Sequence, residues 1–342
     1  MAQNFRIHPS SPLELGWITY FNLLPLRLEI ERTLGPDVKW LKGQPTQVNR
    51  WMNEGRVSLA PCSSVCLLKN SQLDIAMPLG VSSWGPVASV YLSFHLEDMA
   101  SWELIRQRHD MLREIFRLAQ SRCDSDARKC ADTIFRGADE LPPVPLEAIP
   151  PIQLTPASAT SAALLRVFFR LWFGASAYES RLAPVMSQSQ SSSPSFTDRR
   201  PCELLIGDEA LAKRPLYRAI LDFGEIWRDL TDLPFVFAVW QMSRKTLSPY
   251  WRQKLLEAAE IAQARMRVEP SHYLPERPFL DVNGKPVDLP AYWKLIHYRM
   301  TPQHFKGLAL FLALVRNLSP EQFDHQAVVN MTRWENLGTQ TL

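Results

Sequence analysis

Four short polar stretches hold the side chains with chemical potential: YFNLLP around Asn22, PCSSVC with Ser63 and Ser64, SSWGPVAS with Ser83 and Ser89, and TPASATS with Ser158, Thr160 and Ser161. Each follows an apolar run and precedes a helical pattern. Hydroxyl and amide side chains there, together with the free N–H groups of helix N-termini, suit a carboxylate without a buried cation. The same residue types are also ordinary N-caps, and spacing alone does not show that the four stretches converge. Asp208 in LLIGDEAL is either a ligand or base group or a first-turn partner of a helix dipole. His95 follows a strand and is a candidate proton carrier, against the more common structural role.

Other chemistries find no support. Cys62 and Cys66 form a C-x3-C pair, but no second pair has metal-ligand spacing, so the five cysteines are read as buried thiols and no metal is expected. Ser-His-Asp order, a G-x-S-x-G elbow, HExxH and a glycine-rich phosphate loop are missing. The formal net charge of +3 lacks a contiguous basic stripe, which argues against nucleic acid. No apolar run is long enough to span a bilayer, and the first ten residues, MAQNFRIHPS, lack the apolar region of a secretory signal. A cytoplasmic location is expected.

The elements that must position these residues alternate. LELGWITYFN reads as a strand and LRLEIERTLG as a helix; VKWL is a strand, and PTQVNRWMNEG is a helix with Thr46 as its cap. LDIAMPLGVSS, VASVYLSF, ELLIG and LPFVFAVWQ read as further strands, and SPYWRQKLLEAAEIAQARM and TPQHFKGLALFLALVRN as amphipathic helices. With 342 residues, of which 46% are hydrophobic and 21% charged, an α/β chain of two lobes is expected. The boundaries read as 1–97 plus 241–342 for one lobe and 151–240 for the other, with 98–150 as a helical, proline-rich insertion. That insertion is either an inert helical cover or a surface for an oligomer. SQSQSSSPS, from Ser187 to Ser195, reads as a low-complexity loop.

Taken in order, GWITYFNLLPL, LAPCSSVCLLKN, VSSWGPVASVYLS, TPASATSAALLRV, LLIGDEAL and LDFGEIWRDLTDLPFVFAVW resemble the signatures of the chorismate dehydratase family of the futalosine route to menaquinone. The opening matches the family's G-x-x-x-x-x-N-x-x-P pattern at Gly16, Asn22 and Pro25. The resemblance covers residues 15 to about 95, 152–174 and 203–240. It departs from the family at Ala159, where the S-x-T-S loop usually carries arginine, and at the 98–150 segment. The sister family, which makes 1,4-dihydroxy-6-naphthoate from a later intermediate, has an S-P-C-P-N-D-like stretch that is not found here.

The resemblance implies a two-lobed, periplasmic-binding-protein-like (type II) fold with a central cleft. It also implies that chorismate, a small dicarboxylate, is dehydrated to 3-[(1-carboxyvinyl)oxy]benzoate in menaquinone biosynthesis without a cofactor. Asn22 and Ser89 are then the catalytic candidates. Ser63, Ser64, Ser83, Ser158, Thr160, Ser161 and Asp208 are the substrate-binding candidates. The alternative is a non-catalytic binding protein of the same fold for a small carboxylate.

Overall fold

The computed structural model describes residues 12–123, 126–155, 157–175, 201–243 and 247–318. The MAQNFRIHPS start and the serine-rich stretch lie outside the described residues. Two sheets form the frame. Strand β1 (Leu13–Ile18) leads through a 3-10 turn at Phe21–Leu23 into helix α1 (Leu24–Leu34), whose Pro25 sits in the first turn, where a missing N–H costs nothing. Strand β2 (Val38–Gly43), helix α2 (Pro45–Asn53), strand β3 (Leu59–Ser63), the short helix α3 (Cys66–Lys69) and strand β4 (Leu73–Ser83) follow. The cap of α2 is Gln44, in a reciprocal box with Gln47, and not Thr46, because Pro45 already occupies the first helical position.

The chain then crosses. Strand β5 (Val90–Phe94) pairs antiparallel with β7 (Cys202–Ile206) and β8 (Ala219–Asp222), and β6 (Ile152–Gln153) completes a four-stranded sheet in the order β6-β7-β5-β8. After helix α7 (Gly207–Lys213), β8 and helix α8 (Phe223–Thr231) the chain returns. Strand β9 (Phe235–Ser243) enters the first sheet between β3 and β4, antiparallel to both. Helix α9 (Pro249–Val268), helix α10 (Leu289–Trp293), strand β10 (His297–Arg299) and helix α11 (Pro302–Leu318) finish the described chain. The six-stranded sheet has the order β10-β4-β9-β3-β1-β2. Its inner strands are buried on nearly every residue because helices cover both faces.

The lobe boundaries therefore differ from those read in the sequence. β5, expected in the first lobe, belongs to the four-stranded sheet, and most of β9, expected in the second, belongs to the six-stranded one. The crossings lie at 84–89 and 232–234. An apolar run shows that a strand exists but not which edge it joins, since that is set by pairing with distant strands.

Helix α4 (Met99–Arg122) and helix α5 (Ala127–Asp139) form the expected helical segment. α4 lies on α8 and a long apolar helix, α6 (Ala159–Phe173); α5 lies on α11 and α6. Leu112, Phe116, Ala131 and Ile134 are fully buried in these contacts, which continue the main core. Arg108 ties the layer down by donating from Nε to the Trp172 carbonyl at 2.7 Å and from Nη1 to the Pro142 carbonyl.

Candidate functional site

Between the sheets lies a cleft of about 530 Å3, counting its open mouth. Its wall includes Tyr20, Asn22, Ser63, Ser89, Ser158 and Ser161, with apolar surface from residues such as Val81 and Phe237. Five of the nine residues singled out in the sequence thus meet in one place. Asn22, Ser63 and Ser158 come from the carboxyl end of a strand or from the turn before a helix, where an open α/β sheet leaves its backbone groups free, whereas Ser161 lies in the first turn of α6 and Ser89 just before β5.

Asn22 sits on the 3-10 turn after β1, and side chains distant in sequence hold that turn. The Phe21 N–H donates to Asp208 Oδ1 at 2.9 Å, Trp293 Nε1 donates to the Phe21 carbonyl at 2.8 Å, and the Tyr298 hydroxyl donates to the Asn22 carbonyl at 2.6 Å. Asn22 Oδ1 is buried without a protein partner. Ser89 stands at the end of the 84–89 crossing, after Ala88 in the left-handed region at φ 61°. The Asp222 carboxylate fixes this backbone by accepting from the N–H groups of Val87 and Ala88 while capping α8 through Gly224 and Glu225. Ser63 ends β3, and Asn49 grips it twice: Nδ2 donates to Ser63 Oγ at 3.0 Å and Oδ1 accepts from the Ser63 N–H at 3.0 Å.

Ser158 caps α6. Its Oγ accepts from the Ser161 N–H and hydroxyl, and the first N–H groups of the helix, at Ala159 and Thr160, have no intrahelical acceptor. Ser158 and Ser161 place this end of the helix, where the dipole is positive, at the cleft wall.

Four expected residues do not line the cleft. The Ser64 hydroxyl donates to the Val236 carbonyl at 2.7 Å, and the Ser83 hydroxyl donates to the Gly85 carbonyl at 3.0 Å. Thr160 Oγ1 accepts from the Val65 N–H at 3.4 Å. These hydroxyls are spent inside the protein, because buried polar groups next to strand ends must satisfy nearby backbone. Asp208 lies behind Gly207, where burial pushes its carboxyl up to about 6 against the Phe21 N–H, which pulls it down. Its contact makes it a clasp between the lobes. His95 is likewise outside the cleft wall.

Two tyrosines were missed. Tyr20 lies against Gly207, which at φ 59° brings its backbone so close that a Cβ there would stand 2.6 Å from the ring. Burial, then the charges of Asp208 and Glu209, push the Tyr20 phenol up to about 12. Tyr292, on α10, donates its hydroxyl to Ser89 Oγ at 2.9 Å and is fully enclosed. Tyr20 was visible within the YFNLLP motif, whereas Tyr292 had no local signal, since an aromatic in an apolar stretch reads as core.

All five cysteines are buried and free. Among the described residues no three His, Cys, Asp or Glu side chains form a metal-holding group, and no helix is long and apolar enough to cross a membrane.

Among solved structures, the chain is similar to the alkanesulfonate-binding protein SsuA from Xanthomonas axonopodis pv. citri bound to MOPS, with a TM-score of 0.52 and 12% identity over 95% of this chain and 98% of that one. It is also similar to the periplasmic aliphatic sulphonate binding protein SsuA from Escherichia coli, with a TM-score of 0.50 and 14% identity over 97% and 100% of the two chains. At that identity the likeness shows the fold alone, which is that of periplasmic binding proteins. No curated protein matches the sequence. A family model described as menaquinone biosynthesis matches residues 13–108 and 139–317, leaving out the distal part of the α4–α5 layer. Because that match runs over most of the chain and takes in every residue of the cleft wall, the protein belongs to the menaquinone biosynthesis family.

Proposed function

We propose that the protein is a chorismate dehydratase, acting as a hydro-lyase in menaquinone biosynthesis. The observation that carries the reading is the convergence of Asn22, Ser63, Ser89 and the N-terminus of α6 on one cleft between the lobes. Chorismate offers two carboxylates, a ring hydroxyl and an enolpyruvyl ether. Loss of the hydrogen on the ether-bearing ring carbon, with the neighbouring hydroxyl leaving as water, makes the ring aromatic and gives 3-[(1-carboxyvinyl)oxy]benzoate. The departing proton is γ to the ring carboxylate across a double bond. Charge therefore builds on that carboxylate, and fixed donors aimed at it lower the barrier.

Ser158 and the free N–H groups of Ala159 and Thr160 hold one carboxylate; Ser63 faces the other. Asn22 and Ser89 contact the ring substituents. The cleft wall contains no carboxylate or histidine among the described residues, so the substrate's enolpyruvyl carboxylate takes the proton and orientation is the main catalytic device. The Asn22→Ala variant is expected to keep the wild-type melting temperature within a few degrees and to lose at least about 100-fold in turnover, the scale of one aimed polar group. Incubation of both proteins with chorismate, followed by chromatography and mass, checks this; a product lighter by one water at an unchanged rate in the variant rules the assignment out.

A second reading, a binding protein for a small carboxylate, is favoured by one observation. No lysine or arginine is among the described residues of the cleft wall, and Ala159 stands where the resembling family carries arginine. Chorismate that stays intact while raising the melting temperature supports this second reading.

A further inference from the structure

The cleft must recognise its ligand with neutral groups, so the direction of each hydroxyl hydrogen decides whether a serine offers a donor or an acceptor. Two buried side chains outside the cleft wall make that decision. Tyr292 donates to Ser89 Oγ at 2.9 Å, and Asn49 donates from Nδ2 to Ser63 Oγ at 3.0 Å. In both pairs a lone pair of the serine is occupied from behind by a donor, so the serine's own hydrogen turns the other way, towards the cleft. Both serines are almost fully enclosed, which removes water as a competing acceptor.

Asn49 cannot reverse roles, because its Oδ1 is already taken by the Ser63 N–H at 3.0 Å. Tyr292 cannot act as a base, since full burial drives its phenol far above the ordinary value, with smaller opposing effects from Ser89 and Asn22. Beside them, Asn22 Oδ1 is buried and without a protein partner, and an amide oxygen can only accept. A line of donors thus runs from Tyr292 to Ser89 and on into the cleft.

We infer that Tyr292 and Asn49 are positioning residues that set the polarity of the cleft, turning Ser89 and Ser63 into outward hydrogen-bond donors beside the unpartnered acceptor Asn22 Oδ1. Such a cleft matches a ligand with two acceptor groups and one hydroxyl donor, and it rejects analogues in which the hydroxyl is replaced by an ether. The inference deepens the dehydratase reading, and its chemical consequences rest on it.

The test is a double-mutant cycle with chorismate as the probe. Tyr292→Phe keeps the ring and removes only the donor, and a loss of at least about 10-fold in kcat/KM is expected, at the lower end of what one aimed donor contributes. In the Ser89→Ala background the same change is expected to cost less than about 2-fold, because the two groups act as one. Losses that multiply, or a Tyr292→Phe enzyme as active as wild type, overturn the inference.

Asn49→Asp offers a second arm. Its carboxylate can only accept, so the Ser63 hydrogen turns back towards it, and KM for chorismate should rise while the fold survives; an unchanged KM in a folded variant counts against the proposal. A substrate-free measurement separates the two readings. Neutron diffraction from the deuterated wild-type protein should place deuterium between Tyr292 Oη and Ser89 Oγ, on the tyrosine side, with the Ser89 deuterium towards the cleft. If the wild type leaves chorismate unchanged but the deuterium lies there, the dehydratase reading fails and the polarity inference stands. Deuterium on the serine side ends the inference whatever the activity.

Discussion

Asp208 illustrates how a residue recognisable in sequence takes a role that sequence could not assign. It stands after a strand and at the first turn of α7, where an acid is favoured by the dipole, yet its partner is the Phe21 N–H of the opposite lobe. Burial raises its pKa from an ordinary 3.8 to about 6. The folded chain therefore holds this proton more tightly than the unfolded chain does. Its contribution to stability is full below about pH 4 and is lost as pH rises through about 6. His304, buried and held down to about 4 by burial and by His297, works in the opposite sense: its contribution is full above about 6.5 and is lost as pH falls through about 4. Only a comparison of variants isolates the aspartate. Asp208→Asn keeps an acceptor for Phe21 and is expected to remove a decline on the order of 2 kcal/mol between pH 4 and 7, read by urea denaturation at several pH values. Parallel pH curves for the two proteins would show that the carboxyl is not strained by its site. At this scale the hydroxyl and amide residues of the loops were legible because their types are unusual beside strands. Whether a hydroxyl faces the cleft, as at Ser89, or a carbonyl, as at Ser64, depends on partners more than a hundred residues away.

Both lobe crossings are held by a helix that approaches through a glycine. At the first, Gly224 on α8 touches the Gly85 carbonyl, and a Cβ there would also stand 2.5 Å from Ser83 Oγ. At the second, Gly307 on α11 lies against the Pro234 carbonyl. An added methyl at either point must move backbone, which overpacking data put at about 1–3 kcal/mol. Gly224→Ala is therefore expected to lower stability by that amount in urea denaturation and, because Ser89 ends the crossing that is pushed, to reduce chorismate turnover further than Gly307→Ala does. Equal turnover in the two variants would show that the first crossing yields without moving Ser89. Strand and helix order was largely readable, since the helices carry apolar positions near a 3.6 period and the inner strands are short, continuously apolar runs buried on almost every residue. Sheet membership was not: β5 and β9 are the strands that leave one lobe for the other, and their apolar runs carry no mark of it.

At the scale of the whole molecule, the α4–α5 layer was visible as a change of texture but not as part of the core. Its distal part, residues 109–138, falls outside the family match, and yet Phe116 within it is fully buried. Phe116→Ala is expected to cost about 3–5 kcal/mol, as for other buried phenylalanines. That is a large part of the total for a domain of ordinary stability, and a drop below 1 kcal/mol in calorimetry or denaturation would mean that the layer is only loosely applied. The route of the chain has a further consequence, for the order of events in synthesis. The slot between β3 and β4 is filled by β9, which is made some 150 residues after β4, as their positions require. A nascent chain ending before Phe235 can complete the four-stranded sheet, but it leaves β3 and β4 with open apolar edges until the ribosome delivers the strand that joins them. The six-stranded sheet is begun first and closed last.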